Sequence, residues 1–139
     1  VRAKRRGIKV VSQRKPWDCG LACLAMLTGE PYGDIVVVAR DLVDPIKARR
    51  RGLIIPDMLL VAGVFGMRLR PIRKQKDYLV GRTGILGLVG GDLDRSGHWV
   101  MLKAGAIVEP DASPPEVWSV LDYLAEHKAR LATLLVEDR

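Results

Sequence analysis

Gln13-Arg-Lys-Pro-Trp-Asp18-Cys19-Gly20-Leu-Ala-Cys23-Leu-Ala-Met-Leu27 is the stretch on which the reading of this chain turns. Asp18 is a residue type that caps helix starts, and Gly29 stands where helices commonly end, so an apolar helix is predicted to about Leu27. That puts Cys19 at the helix start. Unpaired backbone N–H groups and the positive end of the helix dipole favour thiolate over thiol there. Gln13 lies six residues upstream, and Gly20 leaves space beside the sulfur or serves the turn.

The chain has only two histidines. His98 opens Gly97-His98-Trp99-Val100-Met101-Leu102, which reads as a strand. His127, in Glu126-His127-Lys128, reads as a solvated residue on a terminal helix. Two acids follow His98 in Ile107-Val108-Glu109-Pro110-Asp111. Cysteine on a helix start, then histidine and an acid on successive strands, is the chain order of a papain-like thiol hydrolase. Trp17 and Trp99 are expected to wall such a site or pack the core.

These segments, QRKPWDCGLACLAML, GHWVML and VEPD, resemble the papain-like peptidase domain that processes bacteriocin leader peptides. In that family a glutamine, an Asp-Cys-Gly helix start, a His-aromatic-Val strand and an Asp-Pro pair occur in this order. The motifs span Gln13 to Pro110, with one departure: Glu109-Pro110 stands where the family has Asp-Pro. The resemblance implies an α+β fold, N-terminal helices packed on a C-terminal antiparallel sheet. It also implies a cysteine peptidase acting on a peptide or protein, with no cofactor. Cys19 would be nucleophile, His98 the base and acid, and Gln13 an oxyanion donor with the Cys19 backbone N–H. For the acid, motif position points to Glu109. A hairpin pairing evenly about Ala104-Gly105 instead sets His98 opposite Asp111, with Glu109 diagonal and still in reach. Both acids stand as candidates.

At 139 residues and 48% hydrophobic, the chain suits one domain over 1–139 with a real core; chains near this length bury roughly 68–70% of their unfolded surface. No apolar run is long enough to span a bilayer, and no signal-peptide pattern is visible; the location stays open, with the cytoplasm and a larger particle both compatible. Cys19 and Cys23, four apart on one helix, are poorly placed for a disulfide, and no third soft ligand stands near for a metal. Cys23 reads as a buried core residue.

The net charge of +7 gathers in Arg2 to Lys9, Lys47 to Arg51 and Arg68 to Lys76. Residues 1–12 form a basic head, a flexible segment or a short strand. Such runs suit an anionic partner, or simply a solvated tail and loop. Without a stacking platform or zinc or helix-turn-helix signature, sequence-specific nucleic-acid binding is a minor reading.

Further helices are predicted from Pro31, with Ile35, Val38, Ala39 and Leu42 in register, and from Pro56 to a stop at Gly66, with a basic loop between them. Strands are expected at Met67–Ile72, Gly84–Val89 (apolar enough to be covered on both faces), Trp99–Leu102 and Ala106–Glu109. Pro114-Pro115 is read as opening a terminal helix with Val117, Val120, Leu121, Leu124, Leu131 and Leu135 on its apolar stripe. Gly90-Gly91 imitates a double-glycine cut site, though a turn is the simpler reading. Three classes of function stay open. They are a cysteine peptidase or related amide hydrolase, a silent papain-like module that binds peptides or builds an assembly, and an acyl-transferring thiol enzyme.

Overall fold

The computed structural model describes residues 18–72, 79, 81–91, 98–110 and 116–138. Helices come first: α1 (Cys19–Thr28), α2 (Tyr32–Leu42), α3 (Pro45–Arg51) and α4 (Ile55–Val64). Strands β1 (Leu69–Ile72), β2 (Gly84–Val89), β3 (His98–Lys103), β4 (Ala106–Glu109) and β5 (Glu116–Ser119) follow, then α5 (Val120–His127) and β6 (Arg130–Glu137). The strands form one antiparallel sheet in the order β1-β6-β2-β3-β4-β5. This is the expected α+β arrangement of helices packed on an antiparallel sheet.

Side-chain alternation gives the sheet two apolar faces. Ile85, Trp99, Met101, Val108 and Leu135 pack under α1, α2 and α4 with Leu24, Ile35, Met58 and Val61. Leu86, Leu88, Val100, Leu102, Ile107 and Leu134 point the other way and are covered by Tyr123 and Leu124 of α5. The unbroken apolar run of β2 is thus explained by cover on both faces.

Helix α1 is buried nearly all round, from Cys19 to Met26. Gly29, at φ 77°, ends it in the left-handed cap, its N–H donating to the Ala25 carbonyl. Its start departs from the expectation. Asp18 occupies the cap position but makes no side-chain cap bond there; it is fully buried and accepts instead from the Tyr32 hydroxyl of α2. Burial against a phenol has won over the local cap.

Two segments correct the sequence reading. Lys47 to Arg51 is no loop but most of α3, where the Asp44 carboxylate accepts from the Ile46 and Lys47 amides at 2.9 and 3.3 Å and Pro45 sits inside the first turn. That Asp-Pro start is a sound helix signal that the charge run masked. The single terminal helix is really strand, helix and strand. Ser119 caps α5 by accepting from the Asp122 amide at 3.1 Å, and Lys128 ends it at φ 52°. Val117 and Leu121 of the expected stripe are 68% and 64% exposed, while Leu134 and Leu135 are buried on opposite faces of β6.

The hairpin lies where expected, with Met101 opposite Val108 and Lys103 opposite Ala106 about Ala104-Gly105. Gly90 and Gly91, at φ 83° and 60°, form a turn, and a Cβ on Gly91 would stand 2.1 Å from the His127 carbonyl oxygen. The pair serves the turn, as the simpler reading had it. The basic head, Gln13, Trp17, the loop 92–97, Asp111 and Pro114-Pro115 lie outside the described residues, as does the end of the Arg68–Lys76 run.

Gly84 and Gly63 give a stability test. A Cβ on Gly84 would meet the Leu135 carbonyl oxygen at 2.4 Å, a backbone atom in the middle of the sheet that cannot swing aside. Gly84→Ala is expected to cost about 1–3 kcal/mol. A Cβ on the exposed helical Gly63 meets nothing within 4 Å. Gly63→Ala should gain about 0.5–1 kcal/mol. Urea denaturation of the two variants checks both signs.

Candidate active site

The start of α1 arrives at the first residues of β3. The Trp99 amide donates to Cys19 Sγ at 3.4 Å, tying the sulfur beside the strand that carries His98. Trp99 is held in turn by its indole N–H, which donates to the Leu53 carbonyl at 2.7 Å, and by close packing on Gly87 and Gly20. A Cβ at Gly20 would stand 2.9 Å from Met58 Sδ and 3.1 Å from the Trp99 ring. Gly20 therefore makes room for core side chains as the chain leaves the cysteine.

His98 is 3% exposed, and its Nε2 lies 3.0 and 2.9 Å from the two carboxylate oxygens of Glu109. Glu109 is itself buried, and its Oε1 also accepts from the Tyr123 hydroxyl. A buried carboxylate is costly unless paired and hydrogen-bonded, and here it is both. Nε2 being engaged, Nδ1 is the ring atom left for Cys19. Among the described residues it has no partner in hydrogen-bond geometry, although the sulfur is near enough to influence the ring's charge.

Burial, the largest single influence on His98, favours the neutral ring. It is outweighed by the nearby Cys19 sulfur and by the Glu109 carboxylate, whose hydrogen bonds and charge favour the imidazolium, and the pKa is pushed up from 6.5 to about 9. At neutral pH the ring is an imidazolium held on the Glu109 carboxylate. The Cys23 thiol, one helical turn from Cys19, is pushed the other way in reactivity: burial first, then the charges of Cys19 and Glu109, raise its pKa well above the ordinary value. It is wholly buried, as expected of a core cysteine.

Cys19 and His98 line a cleft of about 370 Å³. Leu53 to Pro56 form one wall, Gly87 to Val89 with Ala132 and Thr133 the other, and Trp99 contributes to the lining. The cleft is mainly apolar.

Of the five residues singled out from the sequence, Cys19, His98 and Glu109 come together. Gln13 and Asp111 lie outside the described residues. The sequence reading missed Tyr123, Leu53 and the cleft wall from β6. Tyr123 carried no signal tying it to Glu109, because the segment around it was read as one helix. Residues 132 and 133 were missed for the same reason. His127, read as solvated, is half-buried, its ring centroid 4.4 Å from that of Tyr123.

A model of the peptidase C39 family matches residues 7–104. The matched span holds Cys19 and His98 and stops short of Glu109. Among solved structures, one that matches is a double glycine motif protease from an AMS/PCAT transporter, determined in complex with the leader peptide. It superposes with a TM-score of 0.59 at 18% identity, over 94% of this chain and 93% of that one. At that identity the likeness speaks for the fold, which is papain-like. No match was found among curated proteins.

Proposed function

The chain belongs to the peptidase C39 family, and from that premise we propose that it is a cysteine peptidase whose working groups are Cys19, His98 and Glu109. The observation that carries this reading is the bidentate approach of Glu109 to His98 Nε2, at the same end of β3 where Trp99 binds the Cys19 sulfur. Cys19 as thiolate attacks the scissile carbonyl carbon, and the carbonyl π pair moves to oxygen. As the tetrahedral intermediate collapses, His98 delivers its proton to the departing amine, leaving a thioester on Cys19. The neutral ring then takes a proton from water, whose oxygen attacks the thioester and restores thiolate, imidazolium and a free carboxylic acid. Glu109 holds the ring and stabilises its charge. Gln13 and the Cys19 backbone N–H are proposed to face the developing oxyanion, where one such donor is typically worth about 2.7–4 kcal/mol.

A silent module is suggested by Glu109 standing where the family has aspartate, together with the basic runs. A glutamate engaged with both oxygens on the histidine supports the active reading over the silent one. For substrate, we infer a peptide with two glycines before the cut. Support comes from the leader peptide held by the related double glycine motif protease. Gly87 and Trp99 line the cleft together with Cys19, and the Trp99 ring packs closely on Gly87.

A peptide library with a reporter amide tests the reading, with Cys19→Ala as blank. Peptides ending in Gly-Gly should be cut at least about tenfold faster than those ending in bulky residues. An acyl-enzyme on Cys19, trapped and weighed by mass spectrometry, should carry the glycine-ended fragment. Faster cutting after bulky residues would overturn the substrate inference, and a fragment attached elsewhere would overturn the nucleophile.

A further inference from the structure

Tyr123 belongs to no motif, yet its hydroxyl donates to the carboxylate that meets His98. It sits on α5, across the sheet from α1, on the face where Val100, Leu102 and Ile107 point. His98 shares strand parity with Val100 and Leu102, and Glu109 with Ile107, so histidine, glutamate and tyrosine gather on one side of the sheet. The tyrosine is fully buried. Its ring is fixed edge-on to Trp118, centroids 5.7 Å apart, and against His127 at 4.4 Å.

A glutamate carries one more rotatable bond than an aspartate. A carboxylate on that longer arm needs a second anchor to stay on the imidazole, since every free torsion spreads its position. Here the first anchor is Nε2, and the second is a phenol whose own orientation is locked by two aromatic neighbours. We propose that Tyr123 is a positioning residue for the hydrolysis, acting through Glu109 to keep the carboxylate on His98 Nε2 and so to keep Nδ1 available to Cys19. This rests on the peptidase reading of the site and adds a residue to it. The competing explanation is a core tyrosine that merely satisfies its hydroxyl on the nearest acceptor. The two differ in what happens when only the oxygen is removed.

Tyr123→Phe keeps the ring and its packing. If Tyr123 positions Glu109, kcat falls about 10–100-fold while KM stays within about twofold, as for other groups that orient a catalytic histidine from behind. The alkaline limb of the kcat profile moves to lower pH, because a loosened carboxylate supports the imidazolium less. In a Glu109→Gln background the same substitution has little further effect on kcat, since its route to the histidine has already been cut. A thermal melt read alongside separates packing loss from these kinetic changes. Unchanged kcat and pH limb in Tyr123→Phe, or an equal loss in both backgrounds, overturns the positioning role while leaving Cys19 and His98 as they are. The reading beneath it fails by a different result: hydrolysis of the same Gly-Gly peptide that survives Cys19→Ser.

Discussion

Cys19→Ala is expected to lower hydrolysis by at least about 10⁴-fold, leaving only what binding and oxyanion stabilisation give without a nucleophile. The same cysteine should be the first alkylated by iodoacetamide at neutral pH. Cys19 lines the cleft, with a histidine that carries its proton to high pH as neighbour. Cys23 is sealed in the core and, through burial and then the charges of Cys19 and Glu109, held as thiol. The thiolate is the reacting species, so a thiol held protonated in the core reacts slowly, while a place on the cleft leaves Cys19 open to the reagent. Peptide mapping after a brief exposure decides the matter, and Cys23→Ala should retain activity. Equal labelling of the two cysteines would sink the nucleophile assignment, as would a Cys19→Ala protein that still cuts.

The helix-start cysteine and the hairpin were readable because their determinants are local. Asp18, Gly29 and Ala104-Gly105 each sit within a few residues of the feature they mark. Asp18 is instructive, since it marks the helix start and yet its side chain is spent on Tyr32, fourteen residues on. The stretch after the hairpin, from Glu116 to Glu137, was misread for want of local punctuation. The turn between α5 and β6 is made by Lys128 at φ 52°, a conformation usually left to glycine or asparagine, so neither glycine nor proline marks the seam. The apolar run after it resembles a continued helix until its partners are known. Those partners are β1 and β2, more than forty residues back along the chain, and they cover β6 on both edges. Because that seam was invisible, so was Tyr123. The acid was narrowed to two residues, Glu109 by motif position and Asp111 by hairpin register, and it is the Glu109 carboxylate that lies on His98.

That reach has a pH signature, and Glu109→Gln should expose it. Neutralising the carboxylate removes both its hydrogen-bonded charge and its claim on ring orientation. Turnover near pH 8 is expected to fall about 10²–10⁴-fold, and Asp111→Asn should have an effect at least about tenfold smaller. On the proposed mechanism His98 gives its proton to the leaving amine, and that proton is held to about pH 9. Wild-type turnover should therefore decline as pH rises through about 9, and in Glu109→Gln this limb should move down toward the ordinary histidine range. Stability follows the same proton. His98 binds it more tightly when folded than when unfolded. The imidazolium's contribution is thus whole below about pH 6.5 and drains away as pH rises to about 9. Across that window the wild-type unfolding free energy should fall by as much as about 3 kcal/mol, and the Glu109→Gln curve should be flatter. Urea denaturation at pH 6 and at pH 9.5 measures the slope. Should Glu109→Gln keep the wild-type alkaline limb and the wild-type slope, the histidine owes neither its proton nor its orientation to Glu109, and the acid of this site must be sought elsewhere.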